Sequence, residues 1–457
     1  MLITRKIELY IQEPDKQTRI NHWKFLRFLD SEIYRAANLI VTNQLFNDFY
    51  ENRLITKDDK LIHIDSRIRS LYRKKEANAD EINKLKEEKK KRWEKAKKFY
   101  NTSKQNVTYQ ITSHDFPEIP TNIVTTLNAS IIKTLKAEWN ELKQGRRTLR
   151  TYKKGMPIPF NFNKQQKWFE LLNGDILLHW LNGITFKMNF GRDRSNNRAI
   201  LDRVLNGEYK YSDSSIQLKN GKLFLLLVID VPVVKNELDE SLSVGVDLGI
   251  SVPAYCSLSD GMKRLAIGNK EDLLRIRLQM QRRRRALQKR LKLVTGGQGR
   301  NKKLTTLNTL TEKEKNYVTT YNHMISRNVI KFTKDCNASK IKLEFLEGYG
   351  EDEKNKFVLR NWSYFQLQKM IEYKAKLENI SVVYVDPYHT SQTCGICGHY
   401  EEGQREKQAE FLCKNDKCKN FDDKVNADYN AALNIAKSEK IVSSKEECEY
   451  FRSEDVL

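Results

Sequence analysis

Alternation of apolar and polar residues marks two parts of the N-terminal half of the chain. It begins the sequence and predicts a half-buried strand, with apolar side chains at Ile3, Ile7, Leu9 and Ile11. It returns after Pro159, where Asn220-Gly221 joins an alternating arm to an apolar arm, as in a two-residue β-hairpin. We therefore predict one β-domain, formed by residues 1–12 and 158–234.

Helical periodicity separates these two parts. Apolar residues recur at helical spacing in residues 23–36 and 121–144, and the second stripe is typical of core packing rather than of a binding site. Residues 58–104 form a charge-laced helical stretch, which is either a solvated helix face or a contact with nucleic acid. We predict that residues 13–157 are a helical insertion in the β-domain.

Strands and helices alternate in the second half of the chain. Strands are predicted at residues 244–249, 341–347 and 381–385, and helices at 275–292, 313–334, 361–378 and from Asn426 onward. This order predicts a separate domain that starts near Leu242. The predicted fold class is therefore multidomain, α/β plus α+β.

The chain carries a large excess of positive charge. Its 457 residues include 82 Lys and Arg against 59 Asp and Glu, which gives a formal charge of +23 and a pI near 9.5. Such an excess predicts a polyanionic partner, with nucleic acid before a membrane surface. The start of the chain lacks the apolar region of a signal peptide, and the longest apolar run, Leu223 to Ile229, is too short to span a bilayer. We expect no membrane partner.

Two basic segments are candidates for contact with nucleic acid. The first, Tyr152-Lys153-Lys154, follows several arginines and suits phosphate binding and stacking, although a basic linker has the same composition. The second lies on a predicted helix and consists of Arg282, Arg283, Arg284 and Arg285. Four consecutive arginines cover the whole circumference of a helical turn, so some must face a polyanion or repel one another.

Four cysteines are spaced as two knuckles of a metal site. They are Cys394, Cys397, Cys413 and Cys418. This spacing can close a tetrahedral thiolate site around Zn²⁺, and a site of four thiolates has no open position, so its metal is expected to hold structure. The other cysteines, Cys256, Cys336 and Cys448, show no pairing pattern. A disulfide framework is therefore not expected, and we predict a reducing, cytoplasmic location.

One carboxylate is predicted at the end of a strand between two glycines. In Val244-Gly245-Val246-Asp247-Leu248-Gly249 the apolar side chains share one face, whereas Asp247 shares the other face with Gly245 and Gly249. Glycine on both sides is expected to clear space around Asp247 for a metal and a phosphate. An aspartate in a turn at a strand end is the simpler alternative.

Two further carboxylates follow downstream. Glu344 lies opposite the apolar face of its predicted strand, and for that reason we prefer it to Glu347. Asp428 falls in the first turn of a helix for which Asn426 is a suitable N-cap. A lone aspartate there would complement the helix dipole, but the two upstream carboxylates favour a catalytic interpretation.

These motifs together resemble a known family. Three acidic residues on two strands and a helix start are similar to the acidic trio of the RNase H-like fold, which holds two divalent ions for phosphodiester hydrolysis. The motifs that carry the closer resemblance are Val-Gly-Val-Asp247-Leu-Gly, Leu-Glu344-Phe-Leu, Thr-Ser-Gln-Thr-Cys394-Gly-Ile-Cys397-Gly and Asn-Ala-Asp428-Tyr-Asn-Ala-Ala. They resemble the RuvC-like nuclease with an inserted zinc ribbon that TnpB proteins and type V CRISPR effectors share. The motif around Trp362 and the short length are most similar to the miniature type V-F effectors.

The resemblance implies a role for each matching residue. It makes Asp247, Glu344 and Asp428 ligands of Mg²⁺, and the four cysteines ligands of Zn²⁺. Arg405 matches an arginine that orients the substrate strand beside the catalytic site.

The resemblance also implies a domain plan. It makes residues 1–12 and 158–234 a β-barrel wedge domain, and residues 13–157 a helical recognition domain. Residues 242–392 and 424–457 become a RuvC-like nuclease, interrupted by a zinc ribbon at residues 393–423.

The function implied is RNA-guided cleavage of DNA. A guide RNA would select the double-stranded target beside a short T-rich motif, and a single nuclease centre would cut both strands. A transposon-encoded TnpB shares all of these motifs and is the alternative, and a catalytically idle binder of nucleic acid is a third hypothesis. A compact chain of this length has a radius of gyration of about 23 Å, so it is roughly as wide as a guide–target duplex of ~20 base pairs is long. One copy can hardly both enclose that duplex and present a nuclease to two strands, so we expect a homodimer on one guide.

Overall fold

The computed structural model describes most of the chain. It covers residues 1–50, 56–73, 79–99, 106–162, 167–193, 195–234, 236–249, 251–345, 363–407, 409–443 and 447–448. Glu347 and the motif residue Trp362 lie outside the described residues. The chain divides into two compact units, Met1–Val231 and Pro232–Leu457, which are taken separately below.

Antiparallel strands of the first unit form one sheet. They are β1 (Leu2–Ile11), β2 (Ile158–Phe160), β3 (Phe169–Leu172), β4 (Asp175–His179), β5 (Thr185–Asn189), β6 (Lys210–Lys219) and β7 (Lys222–Asp230). Their order is β2-β6-β7-β1-β5-β4-β3, so the N-terminal strand lies between strands from far along the chain. Asn220 and Gly221 both have positive φ, 54° and 75°, as the tight turn between β6 and β7 requires.

Helices of the first unit pack on this sheet or on each other. They are α1 (Lys16–Tyr50), α2 (Asp59–Arg73), α3 (Ala79–Phe99), α4 (Asn106–Asp115), α5 (Thr121–Lys143) and α6 (Asn197–Leu205). Buried residues of α1 and α5, such as Leu29 and Leu127, belong to the same core as Leu225 of β7. The predicted charge-laced helix is two helices, α2 and α3, joined by ion pairs such as Arg67 to Glu81 at 2.7 Å.

The second unit contains a mixed sheet and a two-stranded ribbon. The sheet strands are β8 (Asp239–Asp247), β9 (Ala254–Leu258), β10 (Arg264–Ile267), β11 (Ala338–Glu344) and β12 (Ser381–Val385), and the ribbon consists of β13 (Glu410–Leu412) and β14 (Lys424–Asn426). The sheet order is β10-β9-β8-β11-β12. Strands β8, β11 and β12 are parallel, whereas β9 and β10 are antiparallel to their neighbours.

Helices of the second unit pack on this mixed sheet or, in the case of the first, on another helix. They are α7 (Lys270–Lys292), α8 (Gly297–Asp335), α9 (Tyr364–Leu377) and α10 (Ala427–Lys437). Helix α8 begins at Gly297 rather than near Lys313 as predicted. The earlier start was missed because the first turns are mostly exposed and rich in glycine and threonine, which have low helix propensity, although Leu304, Leu307 and Leu310 follow helical spacing there. Within the described residues, no helix is both long enough and apolar enough to cross a membrane.

Close packing of α10 on β8 depends on Gly245. A Cβ at this position would lie 2.1 Å from the carbonyl oxygen of Ala432 and 2.3 Å from the backbone nitrogen of Ala436. The hydroxyl of Ser243 also donates a hydrogen bond of 2.8 Å to the carbonyl of Ala436. The sequence analysis expected Gly245 to clear space around Asp247. In the structure, Gly245 instead allows the backbone of a helix to approach the strand.

Candidate functional site

The three predicted carboxylates lie at one edge of the mixed sheet. Asp247 is the last residue of β8 and Glu344 the last residue of β11, and these neighbouring strands are parallel with Leu343 beside Val246. Asp428 lies in the first turn of α10. Its Oδ1 is 3.9 Å from the point that a Cβ would occupy if Gly249 had a side chain. All three side chains are half-buried, so the cluster is enclosed but can still be reached from solvent.

The start of α10 is fixed by a side-chain cap. The Asn426 side-chain oxygen accepts a hydrogen bond of 2.8 Å from the backbone nitrogen of Tyr429, as its position in the sequence predicted. This bond holds the first helical turn, which contains Asp428, in one conformation. The sequence thus indicates both where the helix begins and where this carboxylate lies.

Burial and mutual repulsion disfavour ionisation of the cluster. The pKa of Asp247 is raised well above its ordinary value, first by burial and then by the charges of Glu344 and Asp428. Burial also raises the pKa of Glu344 and the pKa of Asp428. Such a cluster gains most from a cation that offsets several negative charges at once.

Arg405 supplies one positive charge to this cluster. Its guanidinium opposes the rise in pKa at Asp247, at Glu344 and at Asp428. The side chain is half-buried and follows the buried residue Gln404. The structure therefore brings Arg405 together with the three carboxylates, as the resemblance implied.

Several residues that the sequence did not single out support Glu344. The hydroxyl of Thr390 donates a hydrogen bond of 2.6 Å to Glu344 Oε1, and Gln368 Nε2 donates one of 3.1 Å to the Glu344 carbonyl. Tyr364 is half-buried, and its pKa is raised by burial and by the charges of Asp247 and Glu344. Thr390 lies four residues before Cys394, and this proximity to the knuckle was the only available signal.

The four predicted cysteine ligands converge. Their Sγ atoms lie within 4.8 Å of one another, with 3.8 Å between Cys394 and Cys418 and 3.7 Å between Cys397 and Cys413. The second knuckle contains four residues between its cysteines, and a turn closed by the bond from the Cys418 nitrogen to the Asn415 carbonyl, at 3.0 Å, accommodates them. This cluster can hold a metal ion.

Asparagines of α10 connect the cysteine cluster to the carboxylates. Asn430 and Asn434 donate to the Thr393 carbonyl at 2.7 and 2.6 Å, and Asn434 also donates to the Thr390 carbonyl at 2.7 Å. The nitrogen of Gly395 donates to Asn430 Oδ1 at 2.8 Å. The helix that carries Asp428 thus also positions the first knuckle and the threonine that holds Glu344.

Three of the four consecutive arginines are exposed to solvent, and the fourth forms an ion pair. Arg282, Arg283 and Arg285 are exposed on α7, where a polyanion can reach them. Arg284 is half-buried and pairs with Glu314 of α8 at 3.2 Å, and Arg277 pairs with the same carboxylate at 3.3 Å. Arg284 therefore helps to join the two helices.

The other basic segment lies in the first unit. Tyr152 is half-buried, and its backbone nitrogen and carbonyl both bond to the Asn38 side chain at 2.9 Å. Its side chain packs against the core, and burial raises its pKa. Lys153 and Lys154 are exposed, so within this segment they are the residues placed to meet a phosphate.

Comparison with known proteins identifies the family. The model of the Cas12f1-like TNB domain matches residues 364–435. Over 317 residues the chain is 32% identical to the CRISPR-associated endodeoxyribonuclease Cas12f1 of Sulfoacidibacillus thermotolerans, covering 66% of this chain and 73% of that relative. The chain belongs to the Cas12f family. The predicted resemblance to miniature type V-F effectors is therefore confirmed.

Other Cas12f proteins extend the comparison. The Cas12f1 of Syntrophomonas palmitatica is 32% identical over 277 residues, which is 53% of this chain and 55% of that relative, so the chain matches about half of its length. A cryo-EM structure of a Cas12f1–sgRNA–target DNA complex aligns with 97% of this chain and 99% of its own chain, with a TM-score of 0.63 at 21% identity. That similarity shows a shared fold, and the mixed helix and strand content agrees with the predicted fold class.

The carboxylate cluster predicts an unusual dependence of stability on pH. The pKa of Asp247 is raised in the folded chain. The favourable contribution of Asp247 to the free energy of unfolding is therefore complete below its ordinary pKa of 3.8 and is lost as the pH rises through its pKa in the folded chain. Asn at this position does not ionise. Without added divalent cations, Asp247→Asn should therefore become more stable than wild type as the pH rises, measured by urea unfolding at a series of pH values.

Asp239, at the other end of β8, is the matched control. Two hydrogen bonds from Ser241, of 2.8 and 2.6 Å, lower the pKa of Asp239, so its contribution is present above 3.8 and is lost as the pH falls. Asp239→Asn should give no stabilisation near neutral pH. Equal responses of the two variants at every pH would contradict the proposed repulsion.

Proposed function

We propose that this chain is an RNA-guided DNA endonuclease that hydrolyses phosphodiester bonds at the cluster of Asp247, Glu344 and Asp428. The observation that carries the proposal is the convergence of three half-buried carboxylates and Arg405 on one edge of a sheet. Relatives of the same family are named CRISPR-associated endodeoxyribonucleases. A cluster built only to stabilise the fold would not place three like charges together.

The proposal includes a domain plan. The unit that contains the cluster would be a RuvC-like nuclease, residues 242–392 and 424–457, with a zinc ribbon at residues 393–423. Residues 1–12 and 158–234 would be a wedge domain, and residues 13–157 a recognition domain. The central place of β1 among later strands supports the joining of the chain start to residues 158–234.

The donor atoms of the carboxylate cluster fit Mg²⁺. All three ligands offer oxygen, which Mg²⁺ prefers. Burial raises the pKa of each carboxyl and Arg405 only partly opposes that rise, so a divalent cation would favour the ionised carboxylates. When bound, two such ions would supply a nucleophile from water and stabilise charge on the reacting phosphate.

The chain itself would orient the reacting groups. Thr390 holds one oxygen of Glu344 through its 2.6 Å hydrogen bond and leaves the other oxygen for a metal. Arg405 is placed to contact a phosphate oxygen beside the cluster, because its charge acts on all three carboxylates. The hydrogen bonds from Asn434 to the carbonyls of Thr390 and Thr393 fix the position of Thr390 relative to α10.

Guide RNA and double-stranded DNA are the partners that we propose. The exposed arginines 282, 283 and 285 and the exposed lysines 153 and 154 are available to bind their phosphates. The homodimer on one guide, the T-rich motif and the cytoplasmic location stay predictions from the sequence. Membership of the Cas12f family favours a CRISPR effector over a transposon-encoded TnpB.

For the cysteine cluster we propose structural Zn²⁺. Purified protein should contain about one zinc ion per chain, and Cys413→Ser should remove it and unfold the surrounding segment, because the metal supplies much of the folding energy of such a site. Zinc content and resistance to proteolysis would be measured together. Cys448→Ser, a buried thiol outside the cluster, should keep its zinc. A stable, fully active Cys413→Ser protein without zinc would refute a structural role.

The catalytic proposal is tested by removing one carboxylate. Asp247→Ala should still bind guide RNA and matched DNA, but cleavage in Mg²⁺ should fall by about a thousandfold or more, since each ~1.4 kcal/mol of barrier is tenfold in rate. Glu344→Gln and Asp428→Asn should behave alike, and a double variant should be little worse because the three residues act as a unit. Cleavage and gel-shift assays on the same DNA separate catalysis from binding.

Asp423→Ala provides the control for this experiment. Asp423 is exposed and lies five residues before Asp428, and its loss should leave cleavage near the wild-type rate. Near-normal cleavage by Asp247→Ala would show that the carboxylates are misassigned. Loss of cleavage in every carboxylate variant, including Asp423→Ala, would indicate general damage to the fold instead.

A further inference from the structure

A cleft that the proposed mechanism does not use adjoins the carboxylates. It has a volume of about 510 Å³, within the range of ligand-binding sites in proteins. Its lining includes Tyr255 of β9, Arg264 of β10, Tyr429 of α10, Lys424 of β14 and Asn420. The whole cleft lies within the unit Pro232–Leu457.

Two residues that line the cleft are neighbours of the carboxylates. Tyr255 is the direct partner of Asp247 in the antiparallel pairing of β8 and β9, and such partners point to the same face with Cβ atoms roughly 5 Å apart. Tyr429 follows Asp428 on α10. A chain molecule bound at the carboxylates would therefore extend directly into the cleft.

The lining has the chemistry of a site for single-stranded nucleic acid. Arg264 lies over the Tyr429 ring at 4.7 Å, and the Tyr255 and Tyr429 rings are 6.3 Å apart. Lys424 adds a second cation, which is 3.8 Å from Glu410, and none of the described residues that line the cleft is acidic. Proteins bind single strands by combining positive charge for the backbone with aromatic rings for the bases.

We propose that this cleft binds the nucleotide next to the scissile phosphate of the DNA strand being cut. Arg264 contacts the phosphate of that nucleotide, and Tyr255 contacts its base or sugar. Both are positioning residues, and the inference rests on the nuclease function proposed above. The Tyr429 ring holds the guanidinium in place, so little freedom is lost when the phosphate binds.

The experiment compares Arg264→Gln with Lys263→Gln. Both variants remove one positive charge from the same segment, but Lys263 donates to the Asp335 carbonyl at 3.3 Å and does not line the cleft. With the full chain, guide RNA and matched DNA in Mg²⁺, Arg264→Gln should slow cleavage about tenfold and spread the cut over neighbouring positions. Lys263→Gln should cut at the wild-type rate and position, and gel shifts should show equal target binding by both.

Salt dependence and rescue exclude a merely structural role. Loss of one phosphate contact to a single strand should reduce the slope of log rate against log salt, under subsaturating conditions, by about 0.7. Arg264→Lys keeps the charge and should recover most of the rate and the cut position, even if Arg264→Gln proves less stable.

A cross-link locates the nucleotide directly. DNA with 5-iodouracil next to the cut position, bound by the Asp247→Ala protein so that it stays intact, should cross-link to Tyr255 or Tyr429, as identified by mass spectrometry. Cross-links only to other segments, or an Arg264→Gln protein that matches Lys263→Gln in rate, cut position and salt slope, would overturn the assignment of the cleft. Absence of guided cleavage by the wild-type chain would instead overturn the nuclease function and, with it, this inference.

Discussion

The candidate site depends on how closely α10 approaches β8 at Gly245. Any side chain there would meet the helix backbone, since a Cβ would lie 2.1 Å from the Ala432 carbonyl oxygen. With no side chain in between, the helix lies against the strand and its first turn brings Asp428 to the edge where Asp247 and Glu344 end their strands. Asparagines on the same helix hold the first cysteine knuckle. One contact between backbones therefore organises both proposed metal sites.

Electrostatics favour a functional role for this arrangement over a structural one. Burial raises the pKa of each carboxyl, and the charges of its neighbours raise that of Asp247 further. The folded chain consequently loses stability as these groups ionise with rising pH, and the charge of Arg405 offsets only part of this loss. Bound divalent cations would neutralise the remaining negative charge of the carboxylates and could also bind a phosphate. The adjoining cleft, with Arg264 and two tyrosines, would add a positive charge and aromatic rings next to the carboxylates for the proposed DNA strand.

Local patterns in the sequence predicted what is determined locally. The apolar alternation on β8 and β11, the cap at Asn426 and the cysteine spacing each concern neighbours in the chain, and the structure contains them. Contacts between distant segments left little local signal. The hydrogen bond from Thr390 to Glu344 and the clearance at Gly245 arise only when α10, the first knuckle and the sheet meet. The exposed first turns of α8 were missed because their glycines and threonines have low helix propensity and outweigh the short leucine stripe.

Binding of Mn²⁺ by a Gly245→Ala variant tests the central claim most directly. Gly299→Ala is the matched control, because a Cβ at Gly299 meets nothing within 4 Å. Electron paramagnetic resonance of the full chain titrated with Mn²⁺ should show that Gly299→Ala binds like wild type, whereas Gly245→Ala loses binding because α10 is pushed away from β8. Mn²⁺ affinity in Gly245→Ala equal to that in Gly299→Ala would contradict the account.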